Sequence, residues 1–263
     1  LMKEHSLNTV CEEARCPNIY ECWDHRTATV MILGDICTRS CGFCSVKTGK
    51  PSNVDFDEPQ RVAELVKKIK LRHVVITSVD RDDLKGDYGA QVWKETILAI
   101  KESSPECTIE VLTPDFRGSK ESLDTVFISK PHIFSHNVEC VERISKQVRA
   151  QSNWERSLNV LKYSVEKNML TKTGMMVGLG ESDDEVYKTM IEVRNVGVEI
   201  FNIGQYLQPT LNHLKVQRYV EPDTFKLYKD FGLDLGFKVV ESGPLVRSSY
   251  HADQQAREYA KIG

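Results

Sequence analysis

The stretch ATVMILGDICTRSCGFC, residues 28 to 44, joins a short apolar run to three closely spaced cysteines. The run, residues 28 to 33, is almost wholly apolar and ends at a glycine, the pattern of a strand covered on both faces. Cys37, Cys41 and Cys44 then fall on the loop leaving that strand's C-terminal end. With three and two residues between them, they can wrap three thiolates around three corners of a [4Fe-4S] cube, and the fourth iron then has no protein ligand. Metal centres that do chemistry keep such an opening, whereas structural sites close their shell. A zinc loop is the alternative, but it ordinarily brings a second cysteine pair or histidines, and none follows here. A thioredoxin-like pair of Cys41 and Cys44 would leave Cys37 unexplained.

Working outward, residues 73–79, 109–114, 133–138, 173–179 and 200–207 read as further strands, most of them near-continuously apolar. Between them, Val62, Leu65, Val66 and Ile69 fall at helical spacing behind Pro59, which suits a first helical turn. Trp154, Leu158, Leu161 and Val165 trace a second stripe, and Ser182 with Glu185 has capping-box spacing for a third helix. Further helices are expected near 90–104, 119–128 and 222–235. Six strand-then-helix units in series predict a parallel α/β fold, either a barrel-like ring or an open doubly wound sheet. Both put chemistry at the C-terminal ends of the strands.

A second triplet, Cys11, Cys16 and Cys22, lies upstream with four and five residues between its members. It can hold a second cluster, or a zinc ion completed by His5 or His25. Six of the eight cysteines sit in the first 44 residues, leaving only Cys107 and Cys140 beyond, which is unlike the spread of a disulfide scaffold. A net charge of -3 carries no polybasic signature for nucleic acid or anionic membrane, and no apolar run is long enough for a transmembrane helix. The opening LMKEHSLNTV lacks an apolar signal-peptide centre, although Leu1 beside Met2 is compatible with a trimmed leader. The pair Gly178 and Gly180 is not a dinucleotide fingerprint, because Asp183 stands where the last glycine would be.

CxxxCxxC on the loop after the first strand resembles the radical S-adenosylmethionine (SAM) superfamily. Along nearly the whole chain, TVCEEARCPNIYECW, GDICTRSCGFCSVKTG, TSVDRDD, LTPDFRG, HNVE, GLGE, QYLQPT and SGPLVRSSY occur in the order that resembles the lipoyl synthase family. The resemblance implies a partial (β/α)6 TIM-like barrel at residues 28–210, with extensions at 1–27 and 211–263 that hold an auxiliary cluster. It implies that SAM chelates the open iron of a cluster on Cys37, Cys41 and Cys44. It also implies a second [4Fe-4S] cluster on Cys11, Cys16 and Cys22, completed by a serine of the RSSY motif. Ser249 is that serine, with Ser248 as the alternative and Cys140 as a rival. The activity implied is a sulfurtransferase (EC 2.8.1.8) that spends two SAM and the auxiliary cluster to place sulfur at C6 and C8 of an octanoyl-lysine.

Resemblance likewise suggests SAM contacts at Phe43, Thr77, Ser78, Asp80, Asn137, Glu139, Gly178, Gly180, Tyr206 and Leu207, with Arg81 as a further candidate and Arg247 near the substrate. From the residues alone, Asp82 and Asp83 are equally read as helix caps, His136 as a core histidine, and Glu181 as a solvated carboxylate at a helix start. The implied partners are octanoylated carrier domains, of a 2-oxoacid dehydrogenase E2 or a glycine cleavage H protein, an electron donor such as ferredoxin or flavodoxin, and an iron-sulfur carrier. The expected location is the cytoplasm, or the mitochondrion in a eukaryote. DLKGDYGA, residues 83 to 90, departs from the family's DLPDGGA-like segment.

Overall fold

The apolar runs become parallel strands because each is flanked by a helix long enough to return the chain to the same end of a sheet. The computed structural model describes residues 8–9 and 18–262, so Cys11 and Cys16 lie outside the described residues. Two compact units emerge, one from the described residues up to 39 with 46–134 and 251–253, the other from 40–45, 135–250 and 254–262.

In the first unit, β1 (Thr27–Ile32) and β5 (Thr108–Leu112) both pair in parallel with β4 (His73–Ser78), in a register that sets Thr29 beside Val75 beside Glu110. Two short strands, β2 (Ile36–Cys37) and β3 (Lys47–Thr48), pair in parallel on their own. The helix Glu58–Lys68 carries Pro59 in its first turn and buries Val62, Leu65 and Val66, as the periodicity predicts. Helices Ala90–Ser103 and Lys120–Phe127 follow β4 and β5. β6 (Ile133–Ser135) carries the chain on into the second unit.

There, β8 (Ile200–Gln205) pairs in parallel with both β7 (Thr171–Val177) and β9 (Val239–Gly243). Helices Trp154–Glu166, Asp183–Asn195 and Pro222–Asp234 alternate with these strands. Ser182 and Glu185 form the expected capping box. The buried face of Trp154–Glu166 includes Ser157, whose hydroxyl meets the fully buried His136 ring at 3.1 Å. His136 is thus a satisfied core residue.

Several elements were not foreseen. β9 reads VVESG, too short an apolar run to declare itself, and the helices Ile19–Asp24, Glu142–Val148 and Ala252–Ile262 also escaped notice. β6 ends at Ser135, before the expected 138, because the chain beyond it turns through Glu139, whose φ is +68°. Among the described residues no helix is long and apolar enough to cross a membrane.

Candidate active site

Strands that run parallel within a unit deliver the residues following them to one end of its sheet. In the first unit these include the residues after β4, to which Cys37, at the close of the separate β2, is tied by the Thr38 N–H on the Asp80 carbonyl. The half-buried Cys37 sulfur accepts the backbone N–H of Arg39 and that of Asp80, each at 3.4 Å. Arg39 is only 3% exposed. Its guanidinium donates to Asp82 through Nε and a terminal nitrogen at 2.8 Å each, donates to Asp115 at 2.7 Å, and lies 3.3 Å from Asp80. Burial alone would lower the Arg39 pKa, but the three carboxylates push it well above the usual arginine range. Asp82, though partly desolvated, is held below the usual carboxylate range by Arg39 and Arg117.

These partners correct the alternative reading of the acidic run. Asp82 and Asp83 cap nothing; Asp83 pairs with Arg81, and Gly89 occupies the N-cap of the next helix. Arg81 is buried, donating also to the carbonyls of Leu33 and Ser52, and so acts as a strut. In the divergent DLKGDYGA segment, the Asp87 carboxylate accepts the N–H groups of Gly89 and Gln91. The Thr77 hydroxyl donates to the Leu112 carbonyl and that of Ser78 to Val79, which leaves their oxygens as acceptors.

In the second unit the Cys41–Cys44 loop is held by its backbone. The Gly42 N–H donates to the Val148 carbonyl and its own carbonyl accepts the Leu214 N–H, while His213 Nε2 sits 2.9 Å from the Cys44 carbonyl. A side chain at Gly42 would meet Leu214 at 2.9 Å, so glycine is required for this close approach. Phe43 packs against the apolar core of this unit. Among the described residues no three His, Cys, Asp or Glu side chains are placed to grip one metal ion. A four-iron cube offers each thiolate its own iron, so the donor set suits a cluster better than a single zinc.

The C-terminal motif follows β9 and is therefore another strand-end loop. The Asn137 amide donates to Ser248 Oγ at 2.7 Å, and the Asn202 amide points at the carbonyls of Arg247 and Ser248, at 3.4 and 3.2 Å. Both carboxamide oxygens are buried without a partner, a costly state unless a ligand donates to them. SAM carries an ammonium and two ribose hydroxyls, so these acceptors fit it. Glu139, in its left-handed conformation, has a carboxyl raised by desolvation against the opposing pull of Arg149 and Asn137.

Gly178 and Gly180 have φ of +97° and +109°, and a side chain at Gly178 would collide with Gln205. Glu181 closes this turn by accepting the N–H groups of Gly178 and Leu179, and it is buried, not solvated as expected. Tyr206 is buried with its hydroxyl on the Leu214 carbonyl, while Leu207 is partly exposed. Arg247 donates to the Val246 carbonyl, and the Ser249 side chain is half-buried. Cys140 is fully buried, with its thiol pushed up to about 12 by desolvation. In the first unit, His251 Nε2 lies 2.9 Å from Glu21, the neighbour of Cys22.

Sequence reasoning overlooked Arg39, Asn202 and His213. For Arg39 the signal was present: an arginine inside the cysteine loop, with aspartates in TSVDRDD and LTPDFRG as its partners.

A model of the radical SAM superfamily matches residues 31–193, and the chain belongs to that superfamily. In fold it is similar to SuiB of Streptococcus suis bound to S-adenosylmethionine, with a TM-score of 0.64 at 12% identity over 87% of this chain. It spans 54% of the SuiB chain, about half that neighbour's length. Closer in sequence is a lipoyl synthase of Rubrobacter xylanophilus, 56% identical over 98% of this chain and 80% of the relative. A mitochondrial lipoyl synthase of Nematostella vectensis is 51% identical over 97% of this chain and 87% of its own. The chain is a member of the lipoyl synthase family.

Proposed function

We propose that Cys37, Cys41 and Cys44 hold the [4Fe-4S] cluster that binds SAM, and that Cys11, Cys16, Cys22 and Ser249 hold a second one. Together they serve sulfur insertion at C6 and C8 of an octanoyl chain carried on a lysine. The observation that carries the second site is the anchoring of the C-terminal motif. Asn137 and Asn202 fix residues 247 and 248, and His251 meets the neighbour of Cys22. Ser249 is two residues from His251, which an extended chain spans in about 7 Å. Ser248 already engages Asn137 through its hydroxyl, which favours Ser249 as the ligand.

When bound, SAM on its cluster supplies a radical able to take hydrogen from an unactivated C–H bond, and the auxiliary cluster supplies sulfur; no side chain can do either. The protein positions and shields. The orphaned oxygens of Asn137 and Asn202 accept from the ammonium and ribose of SAM, and Glu139 approaches the same polar region. Phe43 and Leu207 would offer side-chain surface for adenine and the buried Tyr206 its backbone, the glycines at 178 and 180 would let the turn's backbone approach the cofactor, and Thr77, Ser78 and Asp80 would contribute from the other strand ends. Arg247 faces the substrate side. The substrate is an octanoylated carrier domain of a 2-oxoacid dehydrogenase E2 or a glycine cleavage H protein. Electrons come from a ferredoxin or flavodoxin, and an iron-sulfur carrier rebuilds the spent cluster. The setting is the bacterial cytoplasm or its mitochondrial counterpart.

Anaerobic purification should yield about eight irons per chain, from two four-iron clusters. Two SAM should be consumed per lipoyl group formed on an octanoyl-lysine peptide. A colourless zinc protein, or SAM cleavage without thiolated product, would overturn the proposal.

A further inference from the structure

Arg39 is bound twice to the surroundings of Cys37. Its backbone N–H donates to the Cys37 sulfur, and its side chain grips Asp80, whose own N–H donates to the same sulfur. The two amides come from separate segments, the loop after β2 and the loop after β4. A thiolate can keep both only if the segments are locked together. Thr38 adds to the lock, its N–H and hydroxyl both on the Asp80 carbonyl, and its oxygen accepts the Asp82 N–H. The fork of Arg39 then extends the lock to Asp82 and to Asp115 beyond β5, with Asp115 fully buried. Apolar packing could hold a loop at lower desolvation cost than a buried arginine and aspartate with two half-buried aspartates beside them. A planar five-donor fork fixes geometry in a way that packing does not.

We infer that Arg39 is a positioning residue for the Cys37 sulfur, and that by holding two amide donors on it Arg39 raises the reduction potential of the cluster that Cys37 helps to ligate. N–H donors on a cluster's sulfurs favour the more negatively charged, reduced form. The inference rests on Cys37 being a ligand of that cluster.

The test uses the full chain with Cys11, Cys16 and Cys22 all replaced by alanine, so that one cluster remains. Its midpoint potential is read by titration followed with electron paramagnetic resonance. Arg39→Lys and Asp82→Glu both conserve charge, so they loosen the lock without altering the local electrostatic balance. The expected result is about four irons per chain and a fivefold shift of the equilibrium toward the oxidised form. At about 59 mV per tenfold for one electron, this is a fall of about 40 mV. Arg61→Lys, the same exchange in an exposed pair with Asp55, leaves the midpoint in place.

An unchanged midpoint in Arg39→Lys at full iron loading overturns the inference, as does an equal shift in Arg61→Lys. If Arg39→Lys loses its iron, the midpoint of Asp82→Glu decides. If both lose iron while keeping their circular dichroism, the lock only holds the loop and sets no potential, and the inference fails. A triple-alanine parent without any four-iron cluster would sink the ligand assignment itself.

Discussion

A single methyl group should separate the two halves of the chemistry. An alanine at Gly204 would place its Cβ 2.0 Å from the Val246 carbonyl oxygen, whereas ordinary contact begins at 3.4 Å. About 1.4 Å of separation must therefore be found. β8 is paired on both sides, so the segment carrying Val246 is the one to yield. Such a shift cannot be absorbed by the 2.7 Å bond from Asn137 to Ser248 or by the reach of Asn202 to the adjoining carbonyls. At about 1 kcal/mol net for each hydrogen bond lost, the anchoring weakens by roughly 2–3 kcal/mol, enough to free Ser249 from its place. The melting temperature should fall by roughly 4–12 °C, since about 2–4 °C per kcal/mol is usual for a domain of this size. Gly204→Ala should then bind close to four irons instead of eight, still cleave SAM, and make no thiolated product. Gly243→Ala is the control, because its Cβ would meet Val246 at an ordinary 3.5 Å. A Gly204→Ala protein with both clusters and normal product would refute the role of this anchoring.

Replacing Cys11, Cys16 and Cys22 by alanine should spare SAM cleavage and abolish sulfur insertion, which deoxyadenosine and thiolated peptide, quantified by mass spectrometry, would separate. Cys140 should resist alkylation in the folded protein at pH 8, since burial holds its thiol at about 12; rapid labelling would contradict its inert role. Arg143 and the Ser182 N–H hold the Glu185 carboxyl at about 2, below its ordinary 4.5. Its stabilisation is thus complete above pH 4.5 and fades as pH falls toward 2. Glu185→Gln should accordingly melt lower than the parent at pH 7, with the gap closing over that acidic range. Ser182→Ala, which removes the other half of the capping box, should cost about 1 kcal/mol in denaturant titrations.

The strands that build each unit were legible because burial on both faces leaves a plain apolar signature, as in residues 73–78, where all but Ser78 are buried. β9 was not, since its buried pair Val239 and Val240 is followed at once by half-exposed residues. That omission mattered, because it hid that RSSY follows a strand end like the other motifs. The cysteines proposed as ligands announced themselves through spacing. Asn202 and His213 did not, because they act on backbone groups, and the signal at Arg39 was passed over because its partners are distant in sequence, Asp115 lying 76 positions away. The acidic run misled for a related reason: Asp82 and Asp83 look like caps until the arginines that claim them are in view.

The contact between His251 and Glu21 joins positions 230 residues apart. A ribosome adds about 5–20 residues per second, so Glu21 emerges roughly 10–50 s before its partner exists. Throughout that interval the upstream cysteines are present and chemically competent while the serine assigned to them has not been made. On the proposed ligand set, loading of the second cluster follows translation, and a chain truncated before Ser249 should carry the first cluster but never a stable second one.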